Sequence, residues 1–79
     1  MKKYANSYAQ EAYDAIVPLL GDIMAQNVLK VQSQRIGKTE DTLTPADMQK
    51  LAETIKNGLI IFLGADGAGK VAAQVARIK

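Results

Sequence analysis

Between Met48 and Leu63 the apolar residues Met48, Leu51, Ala52, Ile55, Leu59, Phe62 and Leu63 recur at steps of three and four. That spacing lines one face of an α-helix. Gln49, Lys50, Glu53, Lys56 and Asn57 fill the opposite face. The preceding Thr44-Pro45-Ala46-Asp47 supplies a start signal: a Thr hydroxyl to cap, a Pro whose missing N–H costs nothing there, and a carboxylate to meet the helix dipole. A stripe this long must be covered by other elements, so the remaining chain is read for what can cover it.

Tyr8, Ala9, Ala12, Tyr13, Ile16, Leu19 and Leu20 form a similar face and predict a first amphipathic helix. Pro18 lacks an N–H and crowds the carbonyl of Asp14, so the helix is expected to kink or end near Val17. After Gly21, Asp22 is expected to cap a second helix carrying Ile23, Met24, Val28, Leu29, Val31 and Ile36, with Gly37 as its stop. Lys38 to Leu43 is polar, aperiodic and loop-like. A fourth helix is expected after Gly64, turning Ala68, Val71, Ala72, Val75, Ala76 and Ile78 to one side, with Arg77 and Lys79 at the negative end of its dipole. The expected architecture is all-α: a single domain over 1–79, built as a small bundle of four helices in two helical hairpins, 4–37 and 45–79, joined by the loop 38–44. With 79 residues there is room for one core only.

Sliding the chain by 43 residues sets Ala9 on Ala52, Leu20 on Leu63, Gly21 on Gly64, Ala25 on Ala68 and Val28 on Val71. Ile16 over Leu59, Val17 over Ile60 and Leu19 over Phe62 are similar pairs. Two readings stay open at this point. One is an internal duplication; the other is chance alignment of helices rich in Ala, Leu and Val.

The residue inventory narrows the chemistry. There is no Cys and no His, which removes disulfides, thiolates, the commonest metal ligand and the usual base at neutral pH. Glu11 and Asp14 lie three apart but lack His partners for a di-metal site, and Ser7 and Ser33 have no His to activate them. No enzyme activity, cofactor or metal is expected. Ten Lys and Arg against eight Asp and Glu leave a net charge of only +2, a small surplus for a nucleic-acid partner.

The run Leu59-Ile60-Ile61-Phe62-Leu63-Gly64-Ala65-Asp66-Gly67-Ala68-Gly69-Lys70 resembles the first strand and phosphate-binding loop of adenylate kinases and other P-loop nucleotide enzymes. That resemblance implies backbone amides cradling phosphate, Lys70 reaching the outer phosphates and a hydroxyl on magnesium. Val71 stands where the hydroxyl residue belongs, and nine residues after Lys70 cannot supply the surrounding parallel sheet. Arg35, Gly37, Lys38 and Thr39 before Thr44-Pro45-Ala46-Asp47 resemble the loop before the last helix of histone-fold proteins, which implies phosphate contacts. The match departs at Glu40-Asp41-Thr42-Leu43, and at Pro18 and Gly21, which interrupt the long central helix of that fold.

Two surfaces are candidates for an interface. Tyr4, Tyr8 and Tyr13 offer rings with hydroxyls that tolerate water, and Ile60 and Ile61 widen the apolar arc of the 48–63 helix beyond what one neighbour covers. Either the other hairpin, 4–37, or a second subunit is expected to cover the two isoleucines. The functional expectation is a non-enzymatic protein-interaction or oligomerisation module, as an accessory or regulatory subunit. Its alternative is a helical DNA-binding protein contacting phosphates through Lys30, Arg35, Lys38, Lys70, Arg77 and Lys79. The basic start Met1-Lys2-Lys3 is followed by Asn6, Ser7, Gln10 and Glu11 rather than by an apolar run, so no export signal is read and a cytoplasmic protein without membrane contact is expected.

Overall fold

The computed structural model describes residues 2–78. Its elements are α1 (Ser7–Leu20), α2 (Asp22–Arg35), a single 3-10 turn (Pro45–Asp47) and α3 (Met48–Ala76). The all-helical reading holds, but the expected four helices in two hairpins are corrected to three helices. Residues 65–76 do not form a separate helix. They run on from Met48 as the second arm of α3, because only Gly64 leaves helical geometry and the helix resumes at the next residue.

The bend at Gly64 is what lets α3 fit. Twenty-nine residues of straight α-helix would span about 43 Å, whereas the longest dimension of the molecule is 29 Å. Gly64 adopts φ 72° and ψ 172°, a conformation open to glycine and strained for other residues. The second arm returns along the first, so that Gln49, Ala52, Glu53 and Lys56 share a groove with Gly69, Ala72, Ala73 and Ala76. Between α1 and α2, Gly21 takes nearly the same conformation, φ 82° and ψ 170°. The two glycines paired by the 43-residue offset therefore share a backbone geometry as well as a letter.

Asn6 begins α1. Its Oδ1 accepts from the Tyr8 amide at 3.0 Å, while its Nδ2 donates to the carbonyls of Leu43 at 2.8 Å and Glu40 at 3.1 Å. One side chain thus caps a helix and fastens the 36–44 connection to it. Of the two outcomes expected at Pro18, an end near Val17 is not the one seen: α1 continues to Leu20, and the Gly21 amide donates to Val17 at 2.9 Å. Pro18 and Asp14 are both exposed, so the carbonyl that loses its partner faces water. Asp22 makes no capping bond at the start of α2, which also differs from expectation. At the 3-10 turn Thr44 and Asp47 form a capping box, as anticipated: the Thr44 side chain accepts from the Asp47 amide, and the Asp47 carboxylate accepts from the amide and the hydroxyl of Thr44 at 2.9 Å.

The core joins all three helices through Ala9, Ala12, Tyr13 and Ile16 of α1, Ala25 and Leu29 of α2, and Leu51, Ile55, Leu59, Ala68, Val71 and Val75 of α3. The surface that remains, 4705 Å², matches the roughly 4,650 Å² expected for a folded monomer of this mass. Two polar atoms inside, Gln32 Oε1 and Ser33 Oγ, have no hydrogen-bond partner. Ser33 is fully buried, so Ser33→Ala removes an unsatisfied hydroxyl and introduces a better helix former. The variant is expected to gain about 1 kcal/mol, read as a rise in melting temperature of roughly 4–8 °C. A lower melting temperature would show that the hydroxyl is satisfied in solution.

Candidate functional site

The groups able to do acid–base chemistry are few and dispersed. No cluster of three metal-type ligands occurs among the described residues. Glu11 and Asp14 are exposed, and the Asp14 carboxylate accepts from Gln10 Nε2 at 3.0 Å. The Leu59–Lys70 run is helical up to Leu63 and again from Ala65, so the strand that a phosphate-binding loop requires is not formed there. Lys70 lies exposed on the second arm of α3.

The cations named for nucleic acid are spread over different elements. Lys30 and Arg35 are on α2, Lys38 follows it, and Lys70 and Arg77 belong to the second arm of α3 and its end; Lys79 lies outside the described residues. Lys38 is paired with Asp47 at 3.7 Å. Lys30 shares an open cavity with Lys2, Tyr4, Ile23 and Glu40, where an acid sits among the bases.

Two carboxyls are held below the ordinary aspartate value. Asp22 accepts hydrogen bonds from the Tyr13 hydroxyl and from Gln26 Nε2, and Asp47 accepts from the Thr44 amide and hydroxyl with Lys38 nearby. On acidification the unfolded chain takes up these protons first, near pH 3.9. Their stabilising contribution is therefore complete above about pH 5 and lost as pH falls through the lower folded values. Melting temperature is expected to be level from pH 5 to 7 and to fall below about pH 4. Asp47→Asn should flatten part of that fall, and an unchanged acid limb would remove Asp47 from the account.

The tyrosines divide. Tyr13 is fully buried, with the Tyr4 ring 5.5 Å away and the Lys2 amide donating to its hydroxyl at 3.1 Å. Tyr4 and Tyr8 are half-buried against the core. The three rings therefore do not make a shared exposed face. What packs them is the non-helical segment at residues 2–5, which folds back over α1 and carries no periodic signal.

The isoleucines behave differently. Ile61 is 87% exposed and Ile60 is 43% exposed, so the other hairpin does not hide them. Phe62, expected in the core, is 66% exposed. An open groove of about 180 Å³ runs beside it, lined by Met24, Asn27, Val28, Val31 and Gln32 of α2 and by Gly58, Leu59 and Phe62 of α3. Gln32 packs directly on Gly58, where an added Cβ would stand 2.5 Å from Nε2. Since Gln32 meets Gly58 while Met24 still lines a groove that ends at Phe62, α2 and the first arm of α3 run antiparallel.

That direction brings the start of α2 and the bend of α3 to the same end of the molecule. Of the seven large apolar residues left exposed, six (Leu19, Ile23, Met24, Ile60, Ile61 and Phe62) belong to residues 15–29 or 57–69. Neither stretch contains a Lys or Arg; all ten lie elsewhere, and Asp22 and Asp66 are the only charged residues in the two stretches. The groove between α2 and α3 is thus lined without a cation, while Ile23 opens on the cavity that holds Lys2 and Lys30.

The chain matches no known protein family, curated protein or solved structure. The site must therefore be read from its own chemistry. By length and composition, the helix from Pro45 to Ala76 could cross a bilayer. It is bent at Gly64, however, and its two arms pack against each other.

Proposed function

We propose that the protein is a small non-enzymatic protein-interaction or oligomerisation module, acting as an accessory or regulatory subunit. The observation that supports this reading is the exposed apolar end built from Leu19, Ile23, Met24, Ile60, Ile61 and Phe62. A contiguous apolar surface on so small a protein marks a place where another macromolecule is bound. Aromatic and branched aliphatic side chains around an open groove are the usual anchors of such contacts.

The lack of Lys and Arg along the groove that Phe62 borders favours a protein occupant there. A surface that binds anionic lipid or nucleic acid carries cations beside its apolar residues. The test compares wild-type protein with Phe62→Asp, a change at an exposed position that the fold tolerates. Light scattering over a range of concentrations, together with partner retention from the source cell, is expected to show association that Phe62→Asp reduces at least tenfold. Association unaffected by Phe62→Asp would remove this surface from the function. Duplex binding that weakens steeply with salt and survives Phe62→Asp would favour the DNA-binding alternative instead.

A further inference from the structure

We infer that the open cavity between the N-terminal segment, α2 and the 36–44 connection binds a free amino acid of the acidic class, with Lys2 and Lys30 taking its carboxylates and Glu40 its ammonium. This goes beyond the interaction reading given above and uses none of the residues around Phe62. Size, anchoring and charge carry it.

The cavity measures about 400 Å³, within the roughly 300–1,000 Å³ of ordinary small-molecule sites. Three separate stretches of chain wall it: Lys2 and Tyr4 before α1, Ile23, Gln26 and Lys30 on α2, and Glu40 in the connection. It is therefore a product of the tertiary fold.

Two of these stretches are irregular, yet both are fastened to α1 or its cap. The Lys2 amide donates to the Tyr13 hydroxyl at 3.1 Å and the Tyr4 amide to Gln10 Oε1 at 2.8 Å, while Asn6 Nδ2 donates to the Glu40 carbonyl at 3.1 Å. The backbones that carry Lys2 and Glu40 are thus set before any ligand arrives, which lowers the entropy cost of binding.

Lys2, Lys30 and Glu40 make no ion pair among the described residues, where Lys38 with Asp47 is the one pair formed. The Lys2 ammonium lies instead over the Tyr4 ring, 5.6 Å from its centroid. Two cations and one anion therefore line one cavity with their charges uncompensated. A simple anion would meet the Glu40 carboxylate, and a simple cation would meet both ammonium groups. A small molecule with two carboxylates and one ammonium answers all three, and each contact is a charge-assisted hydrogen bond. Ile23 adds an apolar surface for the methylene groups between them.

Amide NMR titration of the full chain with L-glutamate tests the site. Saturable shifts are expected at the amides of Lys2, Tyr4, Lys30 and Glu40, with a Kd of about 1 mM or tighter and a rise in melting temperature. Lys30 is exposed and Glu40 half-buried, and neither side chain is tied by a salt bridge, so Lys30→Gln and Glu40→Gln are expected to melt as wild type does. Each is expected to bind L-glutamate at least tenfold more weakly. Succinate, which lacks the ammonium, is expected to bind wild type more weakly than L-glutamate does, and to bind Glu40→Gln more tightly than it binds wild type. No saturable shift up to about 10 mM L-glutamate overturns the site. Succinate binding wild type as tightly as L-glutamate overturns the role of Glu40, and an L-glutamate affinity unchanged in both variants overturns the location. None of these results bears on the Phe62→Asp comparison, so the two readings fail separately.

Discussion

Gly64→Val is expected to destabilise the monomeric fold and to favour a form in which α3 is straight. At φ 72° and ψ 172° a β-branched residue is strained by about 1–3 kcal/mol, and no neighbouring atom lies within 4 Å to blame for a steric clash. The loss is therefore conformational. The chain escapes the strain by straightening α3 toward its full length of about 43 Å, which withdraws Ala68, Val71, Ala72 and Val75 from the core. Those residues can be buried again only against another chain, so a domain-swapped dimer or an unfolded monomer is the expected product. Circular dichroism should show retained or increased helix while small-angle scattering shows a particle well beyond the 29 Å dimension of the parent. A Gly64→Val protein of unchanged size and melting temperature would refute the role given to the bend.

Tyr13→Ala is expected to cost about 3–5 kcal/mol, the range for deleting a buried aromatic ring. A domain of this size has a total stability of roughly 4–12 kcal/mol, so the variant should lose about a quarter of it or more and unfold at a clearly lower denaturant concentration. The ring holds three segments together: it packs on Tyr4, its hydroxyl receives the Lys2 amide, and the same hydroxyl bonds to the Asp22 carboxylate. Tyr13→Phe keeps the ring and removes only the hydroxyl contacts, so a milder loss is expected. That loss should be accompanied by an Asp22 carboxyl that titrates closer to the ordinary value. Equal denaturation midpoints for Tyr13→Ala and wild type would show that the ring is not part of the core.

The parts of this fold that were readable in advance are those where spacing and burial coincide. The stripe from Met48 to Leu59, the start at Thr44-Pro45 and the turning glycines at 21 and 64 all follow from local chemistry that neighbouring elements do not overrule. Phe62 shows where periodicity fails. It has the right step from Leu59, yet α2 passes over the Gly58–Leu59 side and the returning arm covers the Ala52–Lys56 side, leaving Phe62 beyond both. Which side a neighbour covers is a tertiary fact that spacing does not contain.

The helix count failed for a related reason. Gly64 has the chemistry of a boundary, but a boundary one residue wide leaves two arms of a single bent helix. Asn6 was missed although the signal was present, since an Asn directly before a helical stretch is a strong capping residue. Tyr13 belongs both to the apolar face of α1 and to the group of three tyrosines, and its burial also draws on an irregular segment with no pattern to read. Ile60 and Ile61 fared better: the excess width of the apolar arc was legible, and the chain supplies no cover for it.

The corners at Gly21 and Gly64 are each one residue long, so they offer no extended stretch for a protease to thread through its cleft. Cleavage should therefore fall within Gly37–Thr44, the one long connection among the described residues. A nick there would separate the molecule into an α1–α2 piece and an α3 piece, still clasped by the Asn6 amide reaching across to Glu40 and Leu43 and by the shared interior. The protein is in this sense already divided into complementing fragments, held in one chain by a tether that the Asn6 side chain keeps closed.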